Sequence, residues 1–125
     1  MNRMQAITTA AALAAAVTVW VAPVAAQTGG AAAAQAKEIY AGRCTPCHGE
    51  KGAGDGAASA GLTPPPRNFG DPAWQQSVTD EHIEKIIKFG GAAVGKSPAM
   101  PANPDLLAKP QVVIELRQIV RGFKQ

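Results

Sequence analysis

Apolar residues recur at helical spacing in the second half of the chain. Thr79 is a favourable helix N-cap, and two acidic residues suited to a first helical turn follow it. Isoleucines then occupy positions 83, 86 and 87, which lie on one side of a helix, before Gly90 and Gly91 interrupt the pattern. These residues predict an amphipathic helix that ends at the two glycines.

A second amphipathic helix is predicted at the C-terminal end, beginning at Pro110, a residue favoured at the first helical position. One side of it carries Val112, Val113, Leu116, Ile119, Val120 and Phe123. Just before it, Asn103–Asp105 predicts a short helical turn with Leu106 and Leu107 facing inward.

A third helix is predicted from Gln35, because Ala36, Ile39, Tyr40 and Arg43 recur at helical spacing. No segment alternates for long enough to form a sheet. The fold class is therefore all-α, with three main helices joined by long loops. Loops of this length in a small domain indicate that something besides the backbone organises them.

The N-terminal residues have the composition of a secretory signal peptide. A basic start at Arg3 precedes the apolar run Ala6–Val21 and the small-residue segment Ala22–Ala26, which suits cleavage after Ala26. The alternative is an uncleaved membrane anchor, since the apolar run approaches the spanning length. The domains are then a signal peptide at 1–26, a flexible leader at 27–34 and one folded domain at 35–125.

The composition suits a core that is built partly by a cofactor. The chain has 125 residues, many of them Ala, Gly and Pro, and only 5% aromatic residues. A domain of this size buries a limited fraction of its surface. The formal net charge is +3 and the basic residues are spread along the chain, so we expect no nucleic-acid partner.

The main chemical signal is Cys44-Thr45-Pro46-Cys47-His48, which contains both cysteines of the chain. This spacing is the attachment signature of a c-type haem. The two thiols would form thioethers with the porphyrin, and His48 would be the proximal axial ligand of the iron. The expected cofactor is one covalent haem c.

Met100 is the candidate for the second axial ligand. The other two methionines, Met1 and Met4, lie in the predicted signal peptide. Pro98 and Pro101 stiffen the loop around Met100, whereas His82 lies among charged residues at the start of a helix and has the setting of a surface histidine.

Two other chemistries fit the cysteines less well. A thioredoxin-type redox pair needs a βαβ pattern around the motif, and the sequence shows none. A zinc site would need Cys44, Cys47, His48 and His82 together, and adjacent Cys47 and His48 are an awkward pair of ligands.

From about Gln35 to Phe123 the chain resembles the class I monohaem c-type cytochromes. The residues that match are Ile39-Tyr40, Cys44–Gly49, Gly52, Gly54, Gly56, Met100-Pro101 and the terminal helix. The resemblance implies that the first and last helices cross, with Ile39 and Tyr40 meeting Leu116, Val120 and Phe123. It implies that a proline carbonyl, of Pro64 or Pro65, accepts a hydrogen bond from the proximal histidine. It also makes Tyr40, Arg67, Asn68 and Trp74 candidates for the haem pocket.

The function expected from this resemblance is a periplasmic one-electron carrier, not an enzyme. His/Met ligation raises the reduction potential. The expected partners are transient redox proteins, such as a membrane-bound oxidase or dehydrogenase, with no small-molecule substrate and a monomeric chain. The alternatives are a haem subunit of a larger oxidoreductase, and a gas-binding or peroxidatic protein with an open sixth position.

Overall fold

The computed structural model describes residues 24–124, and this part of the chain folds into helices and loops without a strand. The α-helices are α1 (Val24–Ile39), α2 (Thr45–His48), α3 (Pro72–Ser77), α4 (Asp80–Phe89) and α5 (Pro110–Gly122). A π-helical turn, Tyr40–Cys44, joins α1 to α2, and 3₁₀ turns lie at Ala57–Ser59, Ala92–Val94 and Pro104–Leu106. The all-α prediction is confirmed, and α1, α4 and α5 are its three main helices.

Helix α1 begins well before the predicted start at Gln35. Residues 27–34 are helical, so the prediction of a flexible leader there is wrong. The reason lies in the packing of α1 against α5, which buries Ala32 and leaves Ala36 with no exposed surface. Alanine is the best helix former, and its small side chain lets two helices approach closely.

Helix α4 forms as its sequence predicts. The Thr79 side chain accepts a hydrogen bond from the backbone N–H of His82 at 3.2 Å, which satisfies one free donor of the first turn. Ile83 and Ile87 are buried, and α4 packs against α5. The helix ends at Gly90, whose φ of 79° is readily adopted only by glycine.

Helix α5 supplies much of the core, through Val112, Val113, Leu116 and Val120, all of which are buried. Leu106 packs beside them with no exposed surface, whereas Leu107 is 54% exposed. The prediction that both leucines face inward is therefore wrong for Leu107. Adjacent residues on a single helical turn point in different directions, so one turn cannot bury both.

Helix α3 was not predicted from the sequence. The Asp71 side chain caps it by accepting hydrogen bonds from the N–H groups of Ala73 and Trp74, and Pro72 occupies the first position. The helix has six residues, too few to display an apolar period.

No helix within residues 24–124 is long and apolar enough to cross a membrane. Apart from Val24–Ala26, which belong to α1, the predicted signal peptide lies outside the described residues.

Candidate functional site

The cysteine–histidine motif lies where α1 turns into α2. Cys44 is the last residue of the π-helical turn, and Cys47 and His48 end α2. The backbone carbonyl of Tyr40 accepts from both the N–H and the hydroxyl of Thr45, the latter at 3.1 Å, which stabilises the wider turn. The motif is thus held on continuous helical backbone rather than on a loop.

The glycine-rich segment after His48 folds back onto the motif. The N–H of Gly54 donates to the His48 carbonyl at 2.8 Å, and the N–H of Gly56 donates to the Cys47 carbonyl at 3.1 Å. A Cβ on Gly56 would collide with the carbonyl oxygens of Thr45 and Pro46. This close approach satisfies the free carbonyls at the end of α2.

His48 is held by a backbone carbonyl that the sequence analysis did not identify. Its Nδ1 lies 3.1 Å from the Arg67 carbonyl oxygen, so the prediction of Pro64 or Pro65 as the acceptor is wrong. Pro64 and Pro65 are exposed, and the carbonyl that meets the buried ring lies just after the three prolines, at Arg67. Because a carbonyl only accepts, Nδ1 carries the proton and Nε2 keeps its lone pair. Burial lowers the pKa of His48, which favours this neutral form.

An aromatic cluster packs on the other side of this segment. Phe69 stacks on the His48 ring with 4.3 Å between centroids and 17° between planes, and Trp74 lies 5.5 Å from Phe69. The Arg67 side chain forms an ion pair with Asp71, and its guanidinium lies 5.5 Å from the Trp74 ring centre. The Arg67 and Trp74 side chains thus lie together, and Phe69 is the ring that connects them to His48. The predicted contact of Arg67, Trp74 or the exposed Asn68 with a propionate stays a prediction.

Met100 is fixed by the backbone of its loop. Its carbonyl accepts from the N–H of Gly91 at 3.0 Å, and its own N–H donates to the Ser97 carbonyl at 3.3 Å. Side chains beyond a hydrogen atom would not fit at Gly90 or Gly91, where a Cβ would contact Met100 or Ser97 backbone oxygens. The pair of glycines that ends α4 therefore also seats the Met100 loop.

One apolar cavity brings the candidate residues together. It is lined by Ile39, Tyr40, Cys44, His48, Phe69, Ile87, Met100, Asn103, Leu106, Leu116 and Val120. His82 is not among these residues, so bis-histidine ligation has no support here. The cavity offers a neutral imidazole, a thioether and a thiol on largely apolar walls. An imidazole and a thioether are ligands of haem iron and a thiol can bond to the porphyrin, so these residues fit haem c, although Cys47 is not among those that line the cavity.

The alternative readings of the cysteines lack support in this structure. Cys44 and Cys47 form no disulfide and are half-buried. Burial is the main cause that raises the pKa of the Cys44 thiol to about 11, which disfavours the thiolate that a redox pair or a zinc site uses. Between residues 24 and 124 no group of three or more His, Cys, Asp and Glu side chains is arranged to hold a metal ion. The same range contains no strand, which argues against a thioredoxin fold.

Sequence reasoning missed several residues that organise the site. Phe69, which stacks on His48, and Gln75, which is 6% exposed in α3, were not among the candidates. A phenylalanine two residues after an arginine has no distinctive signature, and a glutamine in a short helix ordinarily faces solvent.

Comparison with known proteins gives two matches that agree with this geometry. The family model described as cytochrome C oxidase, cbb3-type, subunit III matches residues 31–113. The solved structure of the KustC0563 c-type cytochrome is similar to this chain at 30% identity with a TM-score of 0.52, over 70% of this chain and 95% of that one. No curated protein matches the chain. The family match spans the whole cysteine–histidine motif and Met100.

Proposed function

Because the chain belongs to the monohaem cytochrome c family, we propose that it is a periplasmic one-electron carrier with one covalently attached haem c. The observation that carries this proposal is the shared cavity. Cys44 and His48 belong to one motif, Met100 lies 52 residues after His48 in a separate loop, and all three line the same apolar space.

Each of these residues has a distinct role in the proposal. Cys44 and Cys47 hold the porphyrin, each thiol adding its sulfur and hydrogen across one vinyl group so that no atom is lost. The Nε2 atom of His48 and the sulfur of Met100 would ligate the iron. When bound, the haem supplies an iron that alternates between Fe(III) and Fe(II).

The protein tunes this site by what surrounds the two ligands. The Arg67 carbonyl orients the His48 ring and raises its basicity through the hydrogen bond to Nδ1. The apolar lining excludes water and disfavours the additional positive charge of the oxidised state. Pro98 and Pro101 limit the freedom of the Met100 loop, so little backbone rearrangement accompanies electron transfer.

Export to the periplasm is proposed from the signal-like residues 1–26. Partners would dock transiently at an exposed haem edge between residues 91–99 and the Thr45-Pro46 side of the motif. Contacts of this kind are small. Lys51 and Lys96, both exposed, would orient an acidic partner surface.

The second candidate is a haem-bearing subunit of a larger oxidoreductase. The observation that favours it is the description of the matched family, which names a subunit of an oxidase. The size of the native haem protein in a periplasmic extract separates these two candidates.

The test is an absorption spectrum of the exported protein in its oxidised and reduced states, for the wild type and for Met100→Ala. We expect reduced haem c bands in both. The weak far-red band of ferric methionine-ligated haem should occur in the wild type and disappear in the variant. Leu107→Ala, an exposed apolar site outside the cavity, is the control and should keep the band.

A wild-type haem c spectrum without the far-red band would refute Met100 as a ligand and favour the open, gas-binding site. A wild-type protein that gains no haem when expressed with functional attachment machinery would refute the whole proposal.

A further inference from the structure

Gln75 occupies an unusual position for a polar residue, in the short helix α3. It is 6% exposed, and both the nitrogen and the oxygen of its side-chain amide have hydrogen-bond partners. The Nε2 group donates to the Phe69 carbonyl at 2.7 Å and to the Val120 carbonyl at 2.9 Å. The Oε1 atom accepts from Arg121 Nη1 at 3.0 Å. A buried amide satisfied in this way fixes the relative position of the elements it joins.

The backbone that Gln75 holds is the segment that contacts the proximal histidine. His48 touches this segment twice, through the Arg67 carbonyl and through the stacked Phe69 ring. Phe69 is fixed on both sides, because its N–H donates to the Gly52 carbonyl at 2.7 Å and its carbonyl accepts from Gln75. Of the two hydrogen bonds that fix Phe69, the one from Gln75 is donated by a side chain, so a substitution can remove it.

Helix α5 anchors Gln75 through Arg121. This arginine donates to the backbone carbonyl of Gln75 at 2.7 Å and to that of Val78 at 2.7 Å, and it also pairs with Asp80. The last turns of α5 are therefore connected, through one amide, to the residues that orient His48.

We propose that Gln75 is a positioning residue for the proximal ligand: it holds residues 67–69 so that the Arg67 carbonyl keeps its hydrogen bond to His48. The inference rests on the proposed function, since it concerns the imidazole as a ligand of haem iron. Loss of the amide would loosen this segment and weaken the bond to Nδ1. A less basic imidazole stabilises Fe(III) less, so the reduction potential should rise.

The test compares Gln75→Leu with Gln76→Leu in the haem-containing protein. Gln76 is the next residue of α3 and is exposed, so its substitution controls for the loss of an amide from this helix. Two quantities are measured: the reduction potential, and the rate at which the His48 Nδ1 proton exchanges with solvent in the ferrous protein, followed by NMR.

For Gln75→Leu we expect proton exchange at least tenfold faster than in the wild type. We also expect a threefold to tenfold larger Fe(II)/Fe(III) ratio at a fixed ambient potential, where tenfold corresponds to 59 mV for one electron. Gln76→Leu should match the wild type in both. The far-red band should persist in both variants, because Met100 is not disturbed.

If Gln75→Leu does not accumulate, Gln75→Glu serves instead, since it keeps the volume and the acceptor for Arg121 but removes the donor to Phe69. Its proton exchange rate gives the same test. Exchange and potential unchanged from the Gln76→Leu control would overturn the inference. That outcome differs from a failure of the proposed function, in which the wild type itself would lack haem c or the far-red band.

Discussion

Tyr40 makes one hydrogen bond whose contribution to stability can be estimated. Its side chain is 7% exposed, and its hydroxyl donates to the carbonyl of Gly49 at 3.1 Å. Gly49 directly follows His48 and is itself buried. The bond therefore ties the π-helical turn after α1 to the residue that follows His48. Tyr40→Phe removes this bond and leaves the ring in place.

The expected cost of Tyr40→Phe is about 1–2 kcal/mol in the free energy of unfolding. A neutral hydrogen bond contributes about 0.5–1.5 kcal/mol net, and a buried carbonyl left without its donor adds to the loss. Tyr40→Leu should cost about 0.5–1.5 kcal/mol more, because it also removes the aromatic pair with Phe123, whose ring centre lies 5.5 Å away.

The assay is guanidinium denaturation of the haem-containing proteins, followed by far-ultraviolet circular dichroism. The slope against denaturant should be the same in all three proteins, so that the midpoints report stability. Equal midpoints for Tyr40→Phe and wild type would show that the hydroxyl bond to Gly49 contributes nothing. A changed slope would show that the denatured or native state had altered, and the estimate would no longer apply.

Tyr40 also predicts that the free energy of unfolding depends on pH in the alkaline range. Burial, and secondarily Cys44, raises the pKa of Tyr40 to about 12 from an ordinary value of 10. The folded state thus favours the neutral phenol. The stability that Tyr40 contributes to the fold is therefore complete below about pH 10 and is lost as the pH rises through about 12. The stability difference between wild type and Tyr40→Phe should shrink over this range. Tyr40 is the only tyrosine of the chain, so tyrosinate absorbance follows it directly.

Two further predictions concern the elements next to the cavity. Leu106→Ala should lower the free energy of unfolding by about 2–5 kcal/mol, because Leu106 has no exposed surface. Leu107→Ala, at the neighbour that is 54% exposed, should change it by less than about 0.5 kcal/mol. Thermal unfolding measures both variants, and similar losses would contradict the assigned burial. Asp105→Asn should destabilise the protein at neutral pH, because the hydrogen bond from Arg43 lowers the pKa of Asp105 and thereby favours its charged form in the fold. This loss should shrink as the pH falls below about 4 and as salt is added, and a loss that persists under both conditions would exclude the ion pair as its cause.

The features that could be predicted from the sequence have local signals. Thr79 and Gly90 mark the ends of α4 by capping preferences, and Pro110 marks the start of α5, in each case next to an apolar period. The haem motif is equally local. Met100 was chosen as the candidate second ligand by elimination among three methionines, and it lines the same cavity as His48.

The features that were missed depend on contacts between distant parts of the chain. The alanines of α1 carry no amphipathic signal, and only their packing against α5 shows that Ala32 belongs to the core. Gln75 is buried with its amide hydrogen-bonded because Arg121 and Val120 lie beside it in the fold. No local pattern contains that information.

The acceptor for His48 is a main-chain atom, and this has a consequence for how the chain can vary. Every amino acid carries the same carbonyl, so the identity of residue 67 does not decide whether the histidine has a partner. A substitution of Arg67 would therefore remove its side-chain contacts with Asp71 and Trp74 and still leave a carbonyl for His48. Whether the carbonyl meets the ring depends instead on the neighbours that hold this backbone, such as Gln75 and Gly52, so a comparison of side chains alone would overlook the contact to His48.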